Sequence, residues 1–220
     1  MGRFSAVLDA NVLYGSYLRD LLLELGRERI FDPRWSKEIL EEVQRALVKK
    51  FPGTEDQQSH KMTLLNRAIP SAMIDDHLHL VDGLVGTDPK DRHVLAAAIR
   101  AQSGALVTFN VKHFPADMFE TYGIQLLNPD DFLLDLADLN ESHFVRVVSQ
   151  VISNYARPAL TVTGFASVMH KSQCPKIAEF VTKHEPEIEL SLDDVEMERI
   201  VRERRNDGST PIRVELEDLY

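Results

Sequence analysis

The sequence is poor in the features that mark secreted, fibrous and membrane-spanning proteins. Its single cysteine, Cys174, excludes a disulfide within the chain and makes a reducing cytoplasm the expected compartment. No apolar run approaches the roughly 18–20 residues that span a bilayer, and the apolar stretch near the N-terminus is too short for a signal peptide. Glycine and proline, ten each, are too few for a fibrous or disordered chain. We therefore expect a soluble, intracellular globular protein.

Several catalytic signatures are missing as well. The chain has no glycine-rich phosphate loop and no Gly-x-Ser-x-Gly nucleophile elbow, and its eight histidines show no zinc-ligand spacing. These absences argue against a P-loop nucleotide site, a serine-hydrolase triad and a zinc centre.

Charge is unevenly distributed along the chain. The net charge of −10 argues at first against a polyanionic partner. Residues 1–130, however, carry 15 lysines and arginines against 18 acids, whereas residues 131–220 carry 10 against 17. Most of the acidity therefore lies in the C-terminal part, and the first 130 residues can still present a basic rim to a nucleic acid. Candidates for that rim are Arg34, Lys49, Lys50 and Lys112.

The pattern of apolar residues predicts an α/β fold with a parallel sheet and helices on both faces. Short apolar runs predict strands at residues 4–8, 105–109 and 124–127, with a brief one at 79–81. Helical spacing predicts helices at 12–26, 36–50, 54–68, 71–78, 90–102, 115–122 and from 128. Beyond about residue 138 the pattern becomes mostly helical, with helices at 141–156, 173–184 and 192–205 and a strand at 212–216. We predict a first domain over residues 1–135 and a small, mostly helical appendage over 136–220.

Polar residues follow two of the predicted strands, where a parallel sheet collects its chemistry. Asp9 ends the first strand and Asn110 follows the strand at 105–109. Asp88 and Asp91 lie at the start of the alanine-rich helix, and Glu41 and Glu42 lie on the helix that Ser36 opens. Oxygen ligands of this kind suit Mg²⁺ or Mn²⁺. Each residue also has a simpler explanation as a helix cap, a first-turn acid or part of a solvated helix face.

The order of four sequence fragments is more specific than any single acid. The fragments are Asp9-Ala-Asn-Val-Leu, Ser36-x-x-x-Leu-x-Glu-Val, Asp88-x-x-Asp-Arg-x-x-Leu-Ala-Ala-Ala and Leu106-Val-Thr-Phe-Asn-x-x-x-Phe-Pro. This succession resembles the PIN-domain ribonucleases, and more narrowly the VapC-type toxins of bacterial toxin–antitoxin pairs. The resemblance covers residues 4–133.

The resemblance implies a metal-dependent endoribonuclease that leaves 5′-phosphate and 3′-hydroxyl ends. It implies Asp9, Glu42 and Asp91 as the catalytic acids, with Glu42 matching better than Glu41. It also implies Mg²⁺ or Mn²⁺ held by these three residues together with Asp88 and Asn110. The chain departs from the pattern at two positions: Asn110 stands where an acid is common, and His113 stands where many relatives have Asp.

The implied partners are an RNA substrate, a cognate antitoxin protein and a second copy of the chain in a homodimer; no membrane partner is expected. A catalytically weak PIN domain that binds RNA or a protein remains open, because Asn110 adds no charge to the site. A haloacid-dehalogenase-type phosphotransferase fits poorly, since that class has an acid two residues after the first, where this chain has Asn11. His93 and His113 flank the proposed site, and a surface position is the simpler interpretation of each.

Overall fold

The protein has five parallel strands in one sheet. A computed structural model describes residues 4–206, except the side chains of residues 116 and 204–206. The strands are β1 (Ser5–Leu8), β2 (Asp32–Ser36), β3 (Met73–Ile74), β4 (Ala105–Val107) and β5 (Gln125–Leu127). They lie in the order β3-β2-β1-β4-β5, and every pair is parallel. The parallel sheet predicted from the sequence is confirmed.

Eleven α-helices surround and extend this sheet within the described residues. They are α1 (Ala10–Leu13), α2 (Ser16–Arg27), α3 (Lys37–Lys50), α4 (Glu55–Ala68), α5 (Arg92–Arg100), α6 (Ala116–Tyr122), α7 (Pro129–Leu139), α8 (Glu141–Ser153), α9 (Val162–Lys171), α10 (Pro175–Lys183) and α11 (Glu185–Asn206). None of them combines the length and apolar character that crossing a membrane requires.

The strand order places a switch point at the centre of the sheet. β1 pairs with β2 on one side and with β4 on the other. The chain moves outward from β1 through β2 to β3, then returns to the other side of β1 and moves outward again through β4 to β5. Diverging connections leave a crevice beyond the carboxyl ends of the two strands where the order reverses. In this fold those strands are β1 and β4.

Local sequence explains the elements around this crevice. Ala6, Val7 and Leu8 of β1 are fully buried, as a central strand covered on both faces requires. The hydroxyl of Ser36 accepts a hydrogen bond from the Ile39 N–H at 3.3 Å, and this N-cap starts α3 as predicted. In α5 the run from Val94 to Ala98 is wholly buried, because small alanine side chains let the helix lie close to its neighbours.

Three local predictions are wrong. Residues 71–78 are not a helix: they contain β3 and parts of two 3₁₀ turns, because this segment pairs with β2 and the Arg34 guanidinium donates to the Ser71 carbonyl at 2.5 Å. Residues 79–81 are not a strand but lie in the 3₁₀ turn Leu78–Gly83. The helix predicted over 12–26 is two helices, since Gly15 is the N-cap of α2. Tertiary pairing overrides short-range pattern in such short segments.

The C-terminal half is helical, as predicted, and it contains one helix that the sequence pattern missed. That helix is α9, which Thr161 caps by accepting from the Gly164 N–H at 3.0 Å. α8 packs on α2. The rings of Tyr17 and Tyr155 stack with centroids 4.8 Å apart, and the Tyr155 hydroxyl donates to Asp20 Oδ2 at 2.5 Å. The C-terminal helices therefore brace α2. The strand predicted at 212–216 lies outside the described residues, and the division at residue 135 stays a prediction.

Candidate active site

Asp9 lies at the carboxyl end of β1, in the crevice, and is only 4% exposed. Its Oδ1 accepts from the Ala10 N–H at 2.6 Å, so the side chain also caps the short helix α1. Its Oδ2 accepts from the Asn11 amide at 2.7 Å and from the Thr108 hydroxyl at 2.6 Å. A carboxylate offers about four lone pairs. Three of them are used here, which leaves Oδ1 with a lone pair for a further ligand.

Thr108, which directly follows β4, and Asn11, which lies in α1, both hold Asp9 in place. Thr108 is fully buried at the end of β4, and its hydroxyl also accepts from the Asn11 amide and the Asn110 N–H, both at 3.0 Å. The Asn11 carbonyl oxygen accepts from the Phe109 N–H at 3.2 Å. These bonds tie the loop after β4 to the start of α1. The sequence reasoning missed both residues as part of the site, although their positions directly after the two central strands were visible.

Glu42 reaches the crevice from α3, and its neighbour Glu41 does not. Glu42 Oε1 lies 3.2 Å from His93 Nε2. Glu41 is oriented away along the helix and pairs with Lys37 and Arg45, at 3.4 and 3.9 Å. Successive residues on a helix point about 100° apart, so one of an adjacent pair faces the site. Glu42, the acid that the resemblance implies, is the member of this pair that lines the cleft.

His93 is not a surface residue. Its side chain, which α5 carries, is 14% exposed and lies against the Glu42 carboxylate of α3. Burial opposes the charged ring, but the hydrogen bond with Glu42 and the negative charges of Glu42, Asp9 and Glu38 outweigh it and raise the pKa of His93 above its usual value. The simpler interpretation from sequence was therefore wrong for His93, which holds Glu42 in place.

Asp91 and Asp88 lie at the start of α5 in different environments. Asp91 occupies the N-cap position, yet its side chain makes no capping bond; its Oδ2 instead lies 2.9 Å from His113 Nδ1. Asp88 is exposed, and its Oδ1 accepts from the Lys90 N–H at 3.0 Å in the turn before the helix. Asp88 therefore does not cap α5, contrary to the simpler explanation of its position.

Most of the predicted metal ligands, but not all of them, line the same cleft. A cleft of about 380 Å³ is lined by Asp9, Ala10, Asn11, Tyr14, Glu42, Ala46, Asp91 and Asn110. Four of the five predicted metal ligands thus share one cleft at the switch point of the sheet. Asp88 is not part of its lining, but lies beside Asp91 and His113.

Comparison with known families agrees with this arrangement. The model of the PIN domain family matches residues 5–112, and the model of the VapC50 C-terminal domain matches residues 129–183. A curated relative from Mycobacterium tuberculosis, named "Putative ribonuclease VapC50", is 49% identical over 72 residues. Residues 5–112 of this chain form a PIN domain, and the chain is similar to VapC-type proteins. The match to the relative covers 33% of this chain and 43% of the relative, so less than half of that protein's length is spanned. No solved structure matches the chain significantly.

The electrostatics of the PIN-domain cleft fit a divalent cation. Burial is the main reason that the pKa of Asp9 is raised, hydrogen bonds from Thr108 and Ala10 oppose the rise, and the charges of Asp91 and Glu42 add to it. Carboxylates that disfavour one another's ionisation are stabilised when a cation lies between them. The donors are oxygens, which Mg²⁺ and Mn²⁺ prefer. The residues present therefore fit the metal that PIN domains use.

Two of the basic residues predicted for the rim have contacts that fix their positions relative to this cleft. Lys50 Nζ lies 5.4 Å from the ring centroid of Tyr14, which lines the cleft, and 5.4 Å from that of Phe51. Arg34 is instead engaged with the Ser71 carbonyl near β3. Lys50 thus lies near the rim of the cleft, and Arg45 lies 3.7 Å from the Glu42 carboxylate that lines it.

Proposed function

We propose that this protein is a divalent-metal-dependent endoribonuclease and the toxin of a toxin–antitoxin pair. The observation that carries the proposal is the convergence of Asp9, Glu42, Asp91 and Asn110 on one cleft at the switch point of a PIN-domain sheet. The VapC-type family match supports the ribonuclease assignment.

Each residue has a distinct part in this proposal. Asp9, Glu42 and Asp91 would hold Mg²⁺ or Mn²⁺ through carboxylate oxygens, with Asn110 offering an amide oxygen. Such a cation lowers the pKa of a coordinated water and stabilises negative charge on the phosphate oxygens. Thr108 and Asn11 orient Asp9, and His93 orients Glu42. Lys50 attracts the RNA backbone at the rim without reading its sequence.

The proposed partners follow from the VapC match. RNA is the substrate, a cognate antitoxin is the inhibitor, and a second copy of the chain forms a homodimer. A cytoplasmic location stays a prediction. Co-expression with the product of an adjacent small reading frame, followed by size-exclusion chromatography, tests the antitoxin and the homodimer together.

Substitution of the acids tests the proposed chemistry. Asp9→Asn should abolish Mn²⁺-dependent cleavage of structured RNA, because the carboxylate charge at the end of β1 is lost while asparagine still caps α1. Glu42→Gln should reduce cleavage strongly, whereas Glu41→Gln, one residue away on α3, should leave it unchanged.

Cleavage is followed on a labelled RNA with and without EDTA, and circular dichroism checks that each variant is folded. If Asp9→Asn cuts RNA at the wild-type rate, the site is assigned wrongly. If Glu41→Gln and Glu42→Gln lose equal activity, α3 does not present Glu42 alone.

A second function is favoured by one feature of the cleft. Asn110 lines it where an acid is common in the family, which lowers the site's negative charge. In this alternative the domain binds RNA or a protein without cutting. Wild-type protein that binds RNA in Mn²⁺ but leaves it intact under all conditions would support this alternative over the nuclease.

A further inference from the structure

A second group of metal-ligating side chains adjoins the cleft at the start of α5. One oxygen each of Asp88 and Asp91 and a ring nitrogen of His113 all lie within 4.8 Å of one another. Ligands on opposite sides of a small divalent cation lie about 4.2 Å apart, because each metal–ligand distance is about 2.1 Å. The three atoms are therefore close to the spacing of one coordination sphere.

The carboxylate of Asp91 is directed toward this group and not toward its own helix. An aspartate at an N-cap position ordinarily accepts a hydrogen bond from the first-turn N–H groups. Asp91 makes no such bond, and its Oδ2 lies 2.9 Å from His113 Nδ1. Adjacent ligands of one cation are about 3 Å apart, the diagonal of two metal–ligand distances of about 2.1 Å at right angles. The two side chains are hydrogen-bonded to each other, and their separation is also that of neighbouring ligands of one cation.

His113 is held in place by the turn that carries it. It ends the 3₁₀ turn Val111–His113, and its N–H donates to the Asn110 carbonyl at 2.9 Å. The next residue, Phe114, is 5% exposed and meets the ring of Phe119 edge-on, with centroids 5.7 Å apart. The buried Phe114 anchors the turn, so His113 faces Asp91 without the cost of ordering a mobile loop.

We propose that Asp88, Asp91 and His113 form a metal site with one nitrogen ligand, which makes the centre select a first-row transition-metal dication over Mg²⁺. Because Asp91 also lines the acidic cleft, this site is continuous with the proposed active site. Any role of the site in catalysis therefore rests on the proposed function. Mg²⁺ favours oxygen ligands, whereas imidazole suits Ni²⁺, Co²⁺ and Zn²⁺ and binds them in the order of their general affinity. His113, in place of an acid, therefore changes the metal preference rather than removing the site.

The nitrogen ligand is tested by spectroscopy on the full chain loaded with Mn²⁺ alone. Pulsed electron paramagnetic resonance detects coupling of the Mn²⁺ electrons to a directly bound imidazole nitrogen. Wild-type protein should show this coupling, and His113→Gln should lose it. His79→Gln is the matched control, because His79 is also exposed and pairs with a single aspartate, Asp76, at 3.6 Å. His93→Gln tests the other histidine near the cleft.

Calorimetry with Ni²⁺ and Mg²⁺ measures the selectivity. In His113→Asp the ratio of Ni²⁺ to Mg²⁺ affinity should fall about tenfold, which corresponds to about 1.4 kcal/mol. His79→Asp should leave that ratio unchanged.

Three results would overturn the inference. One is Mn²⁺ binding by the wild type without nitrogen coupling, and another is coupling that survives in His113→Gln. The third is coupling that disappears only in His93→Gln. Each can occur while the enzyme cleaves RNA, so it would leave the proposed function standing. Conversely, nitrogen coupling in a protein that cuts no RNA would support the metal site and refute the nuclease.

Discussion

Replacing Thr108 by valine tests whether a buried hydroxyl sets the properties of Asp9, the proposed catalytic acid. Valine keeps the shape of threonine and removes its oxygen. The Thr108 hydroxyl is fully buried and donates a hydrogen bond to Asp9 Oδ2 at 2.6 Å. It also accepts hydrogen bonds from the Asn11 side-chain amide and from the Asn110 N–H. A hydrogen bond to a charged group contributes about 1.5–3 kcal/mol. We expect Thr108→Val to lower the free energy of unfolding by about 3 kcal/mol, or the melting temperature by roughly 6–12 °C.

The same substitution should weaken metal binding and move its pH dependence. Loss of a residue that orients a ligand typically costs about 10–100-fold in metal affinity. The Thr108 hydroxyl lowers the pKa of Asp9 against the raising effect of burial, so its removal raises that pKa further. Only the deprotonated carboxylate binds a cation. On acidification, Mn²⁺ affinity should therefore fall at a higher pH in Thr108→Val than in the wild type.

Urea unfolding and Mn²⁺ calorimetry across the pH range measure both effects, with Thr108→Ser as the control that keeps the hydroxyl. Serine should retain most of the stability and the wild-type pH midpoint. If valine and serine variants bind Mn²⁺ alike at every pH, the hydroxyl does not act on Asp9 and the reasoning fails.

Three further changes probe separate parts of the molecule. Asn110→Asp should lower the Mn²⁺ concentration that gives half-maximal cleavage, because it adds a carboxylate to the cleft; an unchanged midpoint would place Asn110 outside the metal's surroundings. Tyr155→Phe should cost about 1.5–3 kcal/mol in urea unfolding through its lost bond to Asp20, with exposed Tyr122→Phe as the neutral control. Cys174, fully buried and with a pKa that burial raises to about 12, should resist thiol reagents at pH 8 until the protein unfolds; rapid native labelling would contradict its placement.

Much of the site could be predicted because its acids are tied to local elements. Asp9 follows a short apolar run whose pattern predicts a buried strand. Glu42 lies on a helix whose buried face, Ile39, Leu40, Val43 and Leu47, is readable from spacing. The order of the four motifs then indicated the resemblance to PIN-domain ribonucleases, which the periodicity of apolar residues alone does not reveal. One of the local failures concerns a very short element: β3 has two residues, and its strand state depends on pairing with β2.

The partners of these acids depend on the tertiary structure. Thr108 lies 99 residues from Asp9, and His93 lies 51 residues from Glu42. No periodicity links such positions. They meet because β4 inserts beside β1 and carries the loop after it into the same crevice, while α5 turns its first residues toward α3.

The sequence by itself therefore determined the type of fold and offered the candidate acids in their order, because most strands and helices follow from the pattern of neighbouring residues. The tertiary structure decided which groups hold those acids and that His113 stands against Asp91, and it places Glu42, which the resemblance had favoured over Glu41, in the cleft. The physical reason is the strand order: only the folded sheet brings the carboxyl ends of β1 and β4 together, and with them side chains that are distant along the chain.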